Sequence, residues 1–234
     1  MIDQGQIKKL AVSCQSLELN VRREYYQHLF LSYFYQQKNS EKVYFKGGTA
    51  LRIVYGSPRF SEDLDFSADL KSKSALEEVI LATLEEIQRE NIMVDLKEAK
   101  ETSGGYLAIV IFDKVEIQLQ ISLRESGKKS EIVTIASDFI PPYTIVVLAQ
   151  EQMVSEKIRA LLSRQKPRDF YDLYYILRAG LLALDQKKLL TEVVGILEKT
   201  KINFESELKL FLPRSHWAVI RDFRKTLERE IGRN

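Results

Sequence analysis

Hydrophobic and polar positions in the first part of the chain predict helices mixed with strands. Apolar residues at positions 7, 10, 11, 14 and 17 keep helical spacing and predict a first helix. A second helix is predicted from an N-cap at Asn20 to about Gln37. A third begins at Ser74, where a Ser-x-x-Glu capping box precedes one apolar face. That face consists of Leu76, Val79, Ile80, Thr83, Leu84 and Ile87.

Strand signals lie between these helices and after them. Short β-type runs occur at 43–45 and 64–66, and a short helix is predicted from Thr49 to Tyr55. Further strands are predicted at 92–96, 106–112, 115–123, 132–135 and 144–148. The segment 115–123 alternates apolar and polar residues strictly, which is typical of a strand with one buried face.

From Ala149 onward the spacing of apolar residues is helical only. Helices are predicted at 149–163, 168–178, 185–198, 203–212 and 214–231. The sequence therefore predicts an α+β protein with two domains. Residues 1–148 form a mixed β-sheet with flanking helices, and residues 149–234 form an all-helical bundle.

Composition limits the class of protein. Of the 234 residues, 45% are hydrophobic and 29% are charged, as in a globular protein. The formal net charge of +2 excludes a histone-like polycation. The chain has one cysteine and two histidines, which disfavours disulfides and a His-rich zinc site. No apolar run approaches the ~18 residues of a membrane span, and no signal peptide is visible. We therefore expect a cytoplasmic protein with no membrane partner.

The positive charge lies mainly in the second part of the chain. Residues 146–234 hold 17 Lys and Arg against 12 Asp and Glu. Five cations and no acid occupy positions 157–168, namely Lys157, Arg159, Arg164, Lys166 and Arg168. Such a cluster is either a solvated helix face or a surface that faces phosphates, and the sequence leaves both open.

The segment 46–51 carries the first chemical signal. Gly47 and Gly48 follow a predicted strand, and glycine lets the backbone approach another group closely. If Thr49 begins a helix, its first N–H groups point to the same place and favour phosphate. A plain glycine turn would explain the two glycines alone.

Asp63 and Asp65 carry the second signal. They lie two residues apart on a predicted strand, so both carboxylates share one face. Carboxylate oxygens suit Mg²⁺ or Mn²⁺, and Mg²⁺ can polarise a phosphoryl group. Two surface aspartates are the simple alternative. A calcium loop is excluded, because its sixth position is Ala68 and its twelfth is Ser74.

These two segments resemble motif I of the nucleotidyltransferase superfamily. The wording of Lys46–Arg52 and Arg59–Phe66 is similar to that of the AbiEii/AbiGii-type nucleotidyltransferase toxins of type IV toxin–antitoxin and phage-abortive systems. A second block, 155–161 with Arg164 and 168–173, resembles the C-terminal signature of that family. The resemblance implies a nucleotidyltransferase-like sheet, with the helical domain completing the nucleotide site in a cleft between the domains.

The resemblance also implies a role for each matching residue. Asp63 and Asp65 would hold Mg²⁺ or Mn²⁺, Lys157 would contact the triphosphate, and Asp169 would position a reacting group or hold basic residues. The other nucleotide-binding residues would be Gly47, Gly48, Thr49, Arg59, Ser61 and Arg164. For Asp169 and Asp172 a local explanation is also open, since acids are favoured in the first turn of a helix.

A third carboxylate is usual on a neighbouring strand in the superfamily. In the matching strand of this chain, 115–123, that position falls on Gln120. Glu116 lies four residues away on the same predicted face. Either Glu116 is a third metal ligand or the site has two.

The implied reaction moves a nucleoside monophosphate from an NTP to an acceptor hydroxyl and releases pyrophosphate. The family resemblance implies a tRNA 3′ end as acceptor and a cognate antitoxin as partner. Two alternatives stay open: a protein or small molecule as acceptor, and a nucleotide-binding regulator without turnover.

Overall fold

The computed structural model describes residues 2–70, 72–123 and 127–233. Its backbone forms two compact units. The first unit contains Met1–Gly56 and Phe60–Leu148, and the second contains Ser57–Arg59 and Ala149–Asn234. Whether residues 1–148 and 149–234 are independent domains stays a prediction.

The first unit combines helices with a sheet. Its helices are α1 (Gln4–Ser13), α2 (Glu18–Phe34), α3 (Gly47–Ile53) and α4 (Lys73–Arg89), with a 3-10 turn at Ser40–Lys42. Its strands are β1 (Val43–Lys46), β2 (Leu64–Ala68), β3 (Val94–Thr102), β4 (Gly105–Phe112), β5 (Val115–Ser122), β6 (Ser130–Ile135) and β7 (Tyr143–Leu148).

Within the described residues these strands form one mixed sheet in the order β3-β4-β5-β2-β1-β7-β6. β2 runs antiparallel to β1 and parallel to β5, and β1 runs parallel to β7. The predicted mixed sheet with flanking helices is confirmed. This topology places β2, the predicted metal-binding strand, in the interior of the sheet.

Alternation along β2 separates a packed face from a polar face. Phe66 lies opposite Phe45 of β1, and its ring stacks on Phe34 of α2 with a centroid distance of 5.4 Å. Asp65 points to the other face, because neighbouring residues of a strand alternate. All six apolar-face residues predicted for α4 are buried. The helices therefore pack against one face of the sheet and leave the Asp65 carboxylate on the other.

The second unit is helical in its described residues, apart from connecting segments. It contains α5 (Gln150–Arg164), α6 (Pro167–Arg178), α7 (Leu190–Lys199), α8 (Phe204–Phe211), α9 (Trp217–Ile220) and α10 (Phe223–Ile231), with 3-10 turns at Leu184–Leu189 and Arg214–His216. α6 supplies much of the core. Phe170 packs edge-on against Phe204, and Tyr171 stacks on Phe223. None of the described helices is long and apolar enough to cross a membrane.

Several predicted boundaries were wrong. Leu17, rather than Asn20, is the N-cap of α2, and the Asn20 amide donates to the Ser16 hydroxyl. α4 begins at Lys73, one residue before Ser74. The predicted strand 92–96 continues to Thr102, and β3 pairs with β4 from Val94 onward. The prediction missed the second half because β3 is an edge strand whose residues there are mostly polar and do not alternate with apolar ones.

Two predicted helices are broken. The segment 185–198 divides into the 3-10 turn Leu184–Leu189 and α7. The segment 214–231 divides into a 3-10 turn, α9 and α10. The interruption before α10 falls at Asp222, whose φ of −127° and ψ of 56° are not helical. The spacing of apolar residues predicts which face of a helical segment is buried, but it does not predict a local interruption of the helix.

Candidate functional site

Gly47 brings the main chain against a carboxylate. β1 ends at Lys46, and Gly47 follows with a φ of +87°, which L side chains rarely adopt. A Cβ on Gly47 would lie 2.7 Å from the Cβ of Asp65 and closer still to its Oδ2. Both the backbone conformation and the lack of space therefore require glycine. The predicted close approach of backbone at this position is found, and the group approached is Asp65.

Asp63 and Asp65 are held by β2 and by the loop before it. Asp65 pairs in register with Lys46 of β1 on one side and with Gln120 of β5 on the other. The hydroxyl of Thr49, which is 1% exposed, donates to the backbone carbonyl of Asp63 at 2.5 Å. The Thr49 side chain thus fixes the loop to α3, and only its main chain remains for a phosphate.

The loop ahead of Asp63 has a second support that sequence reasoning missed. Gln27 of α2 is buried and donates from Nε2 to the carbonyl oxygens of Ser61 and Glu62, at 3.0 and 3.1 Å. Ser61 itself is half-buried. A single glutamine in a helix carries no sequence signal for such a contact, since it bridges more than thirty residues.

A cleft of about 270 Å³ opens beside Asp65 on the polar face of the sheet. Its lining includes Lys46, Thr102, Gln120 and Ser122. Two residues further along β2, Ser67 is buried, and its Oγ has no hydrogen-bond partner among the described residues. The cleft offers one cation, one carboxylate, an amide and hydroxyl groups to a polar ligand.

The donor set of Asp63 and Asp65 fits a hard divalent cation. Asp65 is the second residue of β2 and Asp63 directly precedes the strand, and Gly47 leaves no Cβ between the backbone and Asp65. Mg²⁺ in such sites is held by one or two carboxylates and completed by water and substrate phosphates. Among the described residues no group of three Asp, Glu, His or Cys side chains is arranged to hold a metal alone.

Glu116 does not join the two aspartates. It lies on the predicted face of β5, but four residues from Gln120, which is about 13 Å at the rise of a strand. Its carboxylate instead binds Lys97 of β3 at 3.1 Å. The position beside Asp65 is occupied by Gln120, a neutral amide. The geometry therefore contradicts Glu116 as a third metal ligand.

In the second unit a buried carboxylate collects two cations. Asp172 of α6 accepts hydrogen bonds from Arg59 Nε at 2.8 Å and from Arg59 Nη2 at 3.0 Å. It also accepts from Lys157 Nζ of α5 at 2.8 Å. The side chains of Asp172, Arg59 and Lys157 are 1%, 4% and 11% exposed. The three form a charge cluster with a net charge of about +1.

The charges in this cluster support one another. Burial raises the pKa of Asp172, but the Arg59 guanidinium and the Lys157 ammonium outweigh this effect and lower the pKa below its ordinary value, to about 2. Burial alone lowers the pKa of Arg59, and the Asp172 carboxylate reverses this, so the net pKa is raised. Asp172 is thus an anion and Arg59 a cation at any physiological pH.

Asp169 holds a basic residue, one of the two roles predicted for it. It accepts from Arg164 Nε at 2.9 Å and from Arg164 Nη2 at 2.6 Å. It also accepts from the backbone N–H of Lys166 at 3.2 Å, which closes the first turn of α6. The local explanation for Asp169 therefore accounts for its contacts. Asp172, which the sequence interpretation did not include in the site, is the acid that holds Lys157.

Arg59 and Arg164 each pair with a carboxylate of α6, and their expected role as nucleotide ligands stays a prediction. Arg59 is buried and directed at Asp172, so it acts on Lys157 through that carboxylate. Arg164 is directed at Asp169, with 45% of its side chain exposed. Of the basic stretch 157–168, Arg159 and Lys166 are exposed, and Arg168 has a buried Nε with no partner in the described part of the chain.

Two solved structures share this fold. MenT4, a nucleotidyltransferase toxin from Mycobacterium tuberculosis H37Rv, aligns with 97% of this chain and 90% of its own, at 17% identity and a TM-score of 0.64. JHP933 from Helicobacter pylori aligns with 93% of this chain and 95% of its own, at 19% identity and a TM-score of 0.59. No curated protein matches the sequence.

A family model gives the identity. The model of the AbiEii nucleotidyl transferase toxin of type IV toxin–antitoxin systems matches residues 29–230. That range contains both motif blocks, the β2 carboxylates and the Arg59–Asp172–Lys157 cluster. The chain therefore belongs to the AbiEii nucleotidyltransferase toxin family, which confirms the resemblance seen in its motifs, and it is a nucleotidyltransferase.

Proposed function

We propose that this toxin transfers a nucleoside monophosphate from an NTP to a hydroxyl at the 3′ end of tRNA, with Mg²⁺ or Mn²⁺ at Asp63 and Asp65. The oxygen of the acceptor hydroxyl forms a bond to the α-phosphorus and gives up its proton to solvent, the bond from that phosphorus to the bridging oxygen breaks, and pyrophosphate leaves with the electron pair. The close packing of Gly47 against Asp65 is the observation that carries the proposal.

The first unit supplies the metal ligands and the phosphate contacts. Asp63 and Asp65 would hold the ion, which polarises the phosphoryl group when bound. The N–H groups of Gly47, Gly48 and Thr49 would bind phosphate oxygens, because the absence of a Cβ at Gly47 lets main chain come that near to the carboxylates. Ser61 would take part only through the loop that carries Asp63.

The second unit supplies the cation for the polyphosphate. Asp172 alone would cancel the charge of Lys157, but Arg59 already neutralises Asp172. The cluster of Arg59, Asp172 and Lys157 thus stays net positive, while the hydrogen bond to Asp172 fixes the direction of the Lys157 ammonium. We propose that Lys157 stabilises the triphosphate, and that Arg59 and Asp172 position it. Asp169 with Arg164 would maintain the start of α6.

The test is label transfer from each of four α-³²P NTPs to total RNA or total protein of the host, with Mg²⁺, with Mn²⁺ and with a chelator. We expect label in the tRNA band, dependent on the metal. Asp65→Asn should abolish it, because the change removes an anionic ligand with little change of volume. Asp95→Asn, on the edge strand β3, is the matched control. Label confined to protein, or undiminished label with Asp65→Asn, would refute the proposal.

A nucleotide-binding regulator without turnover is the second candidate. The neutral Gln120 beside Asp65 favours it, since an amide cannot take a proton from the acceptor hydroxyl. Pyrophosphate release separates the two candidates. A regulator binds NTP without releasing pyrophosphate, whereas the transferase releases one pyrophosphate for each nucleotide transferred.

Membership of a type IV toxin–antitoxin family implies an antitoxin as partner. We propose that the outcome of tRNA modification is growth arrest, relieved by the cognate antitoxin in the same cytoplasm. Expression of the wild-type toxin should stop growth, and Asp65→Asn should not.

A further inference from the structure

A surface pocket in the second unit lies at the end of α7. It has a volume of about 370 Å³ and is lined by Gln165, Ile196, Lys199, Thr200, Lys201 and Ile202, and we call it the α7 pocket. α5 ends next to it, where Gln165 turns the chain with a φ of +52°. On the other side α7 ends at Lys199, and the segment 200–203 leads to the N-cap of α8.

The rim of the α7 pocket is positively charged. Lys199 and Lys201 are exposed, and neither forms an ion pair within the described residues. Lys166, next in sequence to the lining residue Gln165, is also exposed and makes no ion pair in that part of the chain. Glu198 is the one acid among residues 196–202, which include the end of α7 and the segment after it. The lysines of this rim thus differ from Lys157 and Arg164, which form ion pairs with Asp172 and Asp169.

The C-terminal end of a helix ordinarily repels anions, because its last carbonyl groups carry partial negative charge. At the end of α7, the positive charge of Arg224 of α10 offsets this partial negative charge. Its guanidinium donates from Nη1 to the carbonyl of Glu198 at 3.1 Å and from Nη2 to the carbonyl of Thr200. Thr200 Oγ1 in turn donates to the carbonyl of Ile196 at 2.7 Å. The end of α7 therefore presents lysines and satisfied carbonyls instead of free acceptors.

The lining of the α7 pocket is suited to more than charge. Ile196 and Ile202 are half-buried and supply apolar surface, and Gln165 supplies an amide that both donates and accepts. A nucleotide combines an apolar base face, polar base edges and a phosphate in this way. The volume falls within the usual ~300–1,000 Å³ of small-ligand sites.

We propose that the α7 pocket binds the RNA acceptor, with one base against Ile196 and Ile202 and the flanking phosphates on Lys199 and Lys201. This site extends the proposed function, because it is an anchor for the RNA whose end receives the nucleotide. It also replaces most of the basic stretch 157–168 as the main RNA contact. An acidic protein would also satisfy the lysines, and poly-glutamate is the probe for that occupant in the experiment below.

The experiment measures binding of a fluorescent single-stranded RNA by anisotropy between 50 and 300 mM KCl. The test variant is Lys199→Ala with Lys201→Ala, and the control is Lys187→Ala with Lys188→Ala, the same charge change on the 3-10 turn Leu184–Leu189. Each phosphate contact contributes a slope of about 0.7 in log affinity against log salt. Loss of two contacts should reduce the slope by about 1.4, which is about 25-fold in affinity at 0.1 M salt.

We expect that loss for the test variant, a near-wild-type slope for the control, and unchanged melting of both. Ile202→Asp should weaken binding without altering any lysine. Equal slopes for test variant, control and wild type would overturn the inference, as would displacement of RNA by poly-glutamate at equal charge concentration. Asp65→Asn must keep RNA binding, so that failure of transfer and failure of the α7 pocket give different results.

Discussion

Replacement of Asp172 tests whether the charge cluster of the second unit has the energetics that its geometry implies. Asp172→Asn keeps the volume of the side chain but removes the carboxylate that two cations share. Arg59, at 4% exposed, would then be a buried guanidinium without its bidentate partner. Breaking a buried ion pair by loss of one member costs about 3–5 kcal/mol. We expect a decrease of that size in the free energy of unfolding.

Asp169→Asn is the matched comparison on the same helix. Asp169 is as buried as Asp172, but its partner Arg164 has 45% of its side chain in solvent and can be rehydrated. Loss of the negative charge and of one of the two acceptor oxygens should cost about 1–2 kcal/mol, since the remaining amide oxygen can still accept from the Lys166 N–H. The difference between the two variants, rather than either value, isolates the buried guanidinium.

The chain has a single tryptophan, Trp217 in α9, so its fluorescence during urea unfolding reports on the second unit. A double variant, Arg59→Met with Asp172→Leu, should be more stable than Asp172→Asn, because it removes both buried charges together. A cost below 1 kcal/mol for Asp172→Asn, or an equal cost for Asp169→Asn, would refute the reasoning. So would a double variant no more stable than the single.

Three further predictions follow from the contacts. Gly47→Ala should abolish transfer and destabilise the protein by more than Gly180→Ala does. Gly180 has a φ of +66° but open space around an added Cβ, so its variant measures the backbone strain alone, ~1–3 kcal/mol. Equal urea midpoints for the two variants would contradict this. Lys157→Ala should raise the Kd for NTP at least tenfold in a titration, whereas Lys187→Ala should not. Burial, assisted by the charge of Arg52, lowers the pKa of His28 to about 4. The free energy of unfolding should therefore fall by about 3 kcal/mol as the pH drops from 6.5 to 4, because only the unfolded state takes up the proton. A His28→Gln variant whose free energy of unfolding has the same pH dependence would disprove this.

Local patterns were enough to predict the parts of the site that depend on local geometry. The glycine pair after a strand predicted a close approach of backbone, and Gly47 makes that approach to Asp65. The two-residue spacing predicted that Asp63 and Asp65 share a face; Asp65 pairs with Lys46 and Gln120 in the sheet, whereas Asp63 precedes β2, so the shared face stays a prediction. The α4 face was predicted completely, because amphipathic spacing depends only on which residues are buried.

Contacts between distant segments could not be predicted in this way. Asp169 and Asp172 both lie near the start of α6, so the sequence does not show which of them holds Lys157. The answer depends on Arg59, which is 113 residues from Asp172 in the chain. Glu116 was on the predicted face but at the wrong height, because register along a parallel strand pair is a tertiary property.

The acid dependence of the Asp172 cluster distinguishes its structural role from its functional one. The pKa of Asp172 is lowered from 3.8 to about 2, so its stabilisation is complete above pH 3.8 and is lost as the pH falls toward 2, by about 2 kcal/mol. Within the range where transfer can be measured, the carboxylate stays ionised and Lys157 stays paired. A change in NTP affinity between pH 6 and 8 therefore cannot originate from Asp172. If Asp172→Asn raises the Kd for NTP as Lys157→Ala does, and with the same flat pH profile, Asp172 acts by positioning the lysine.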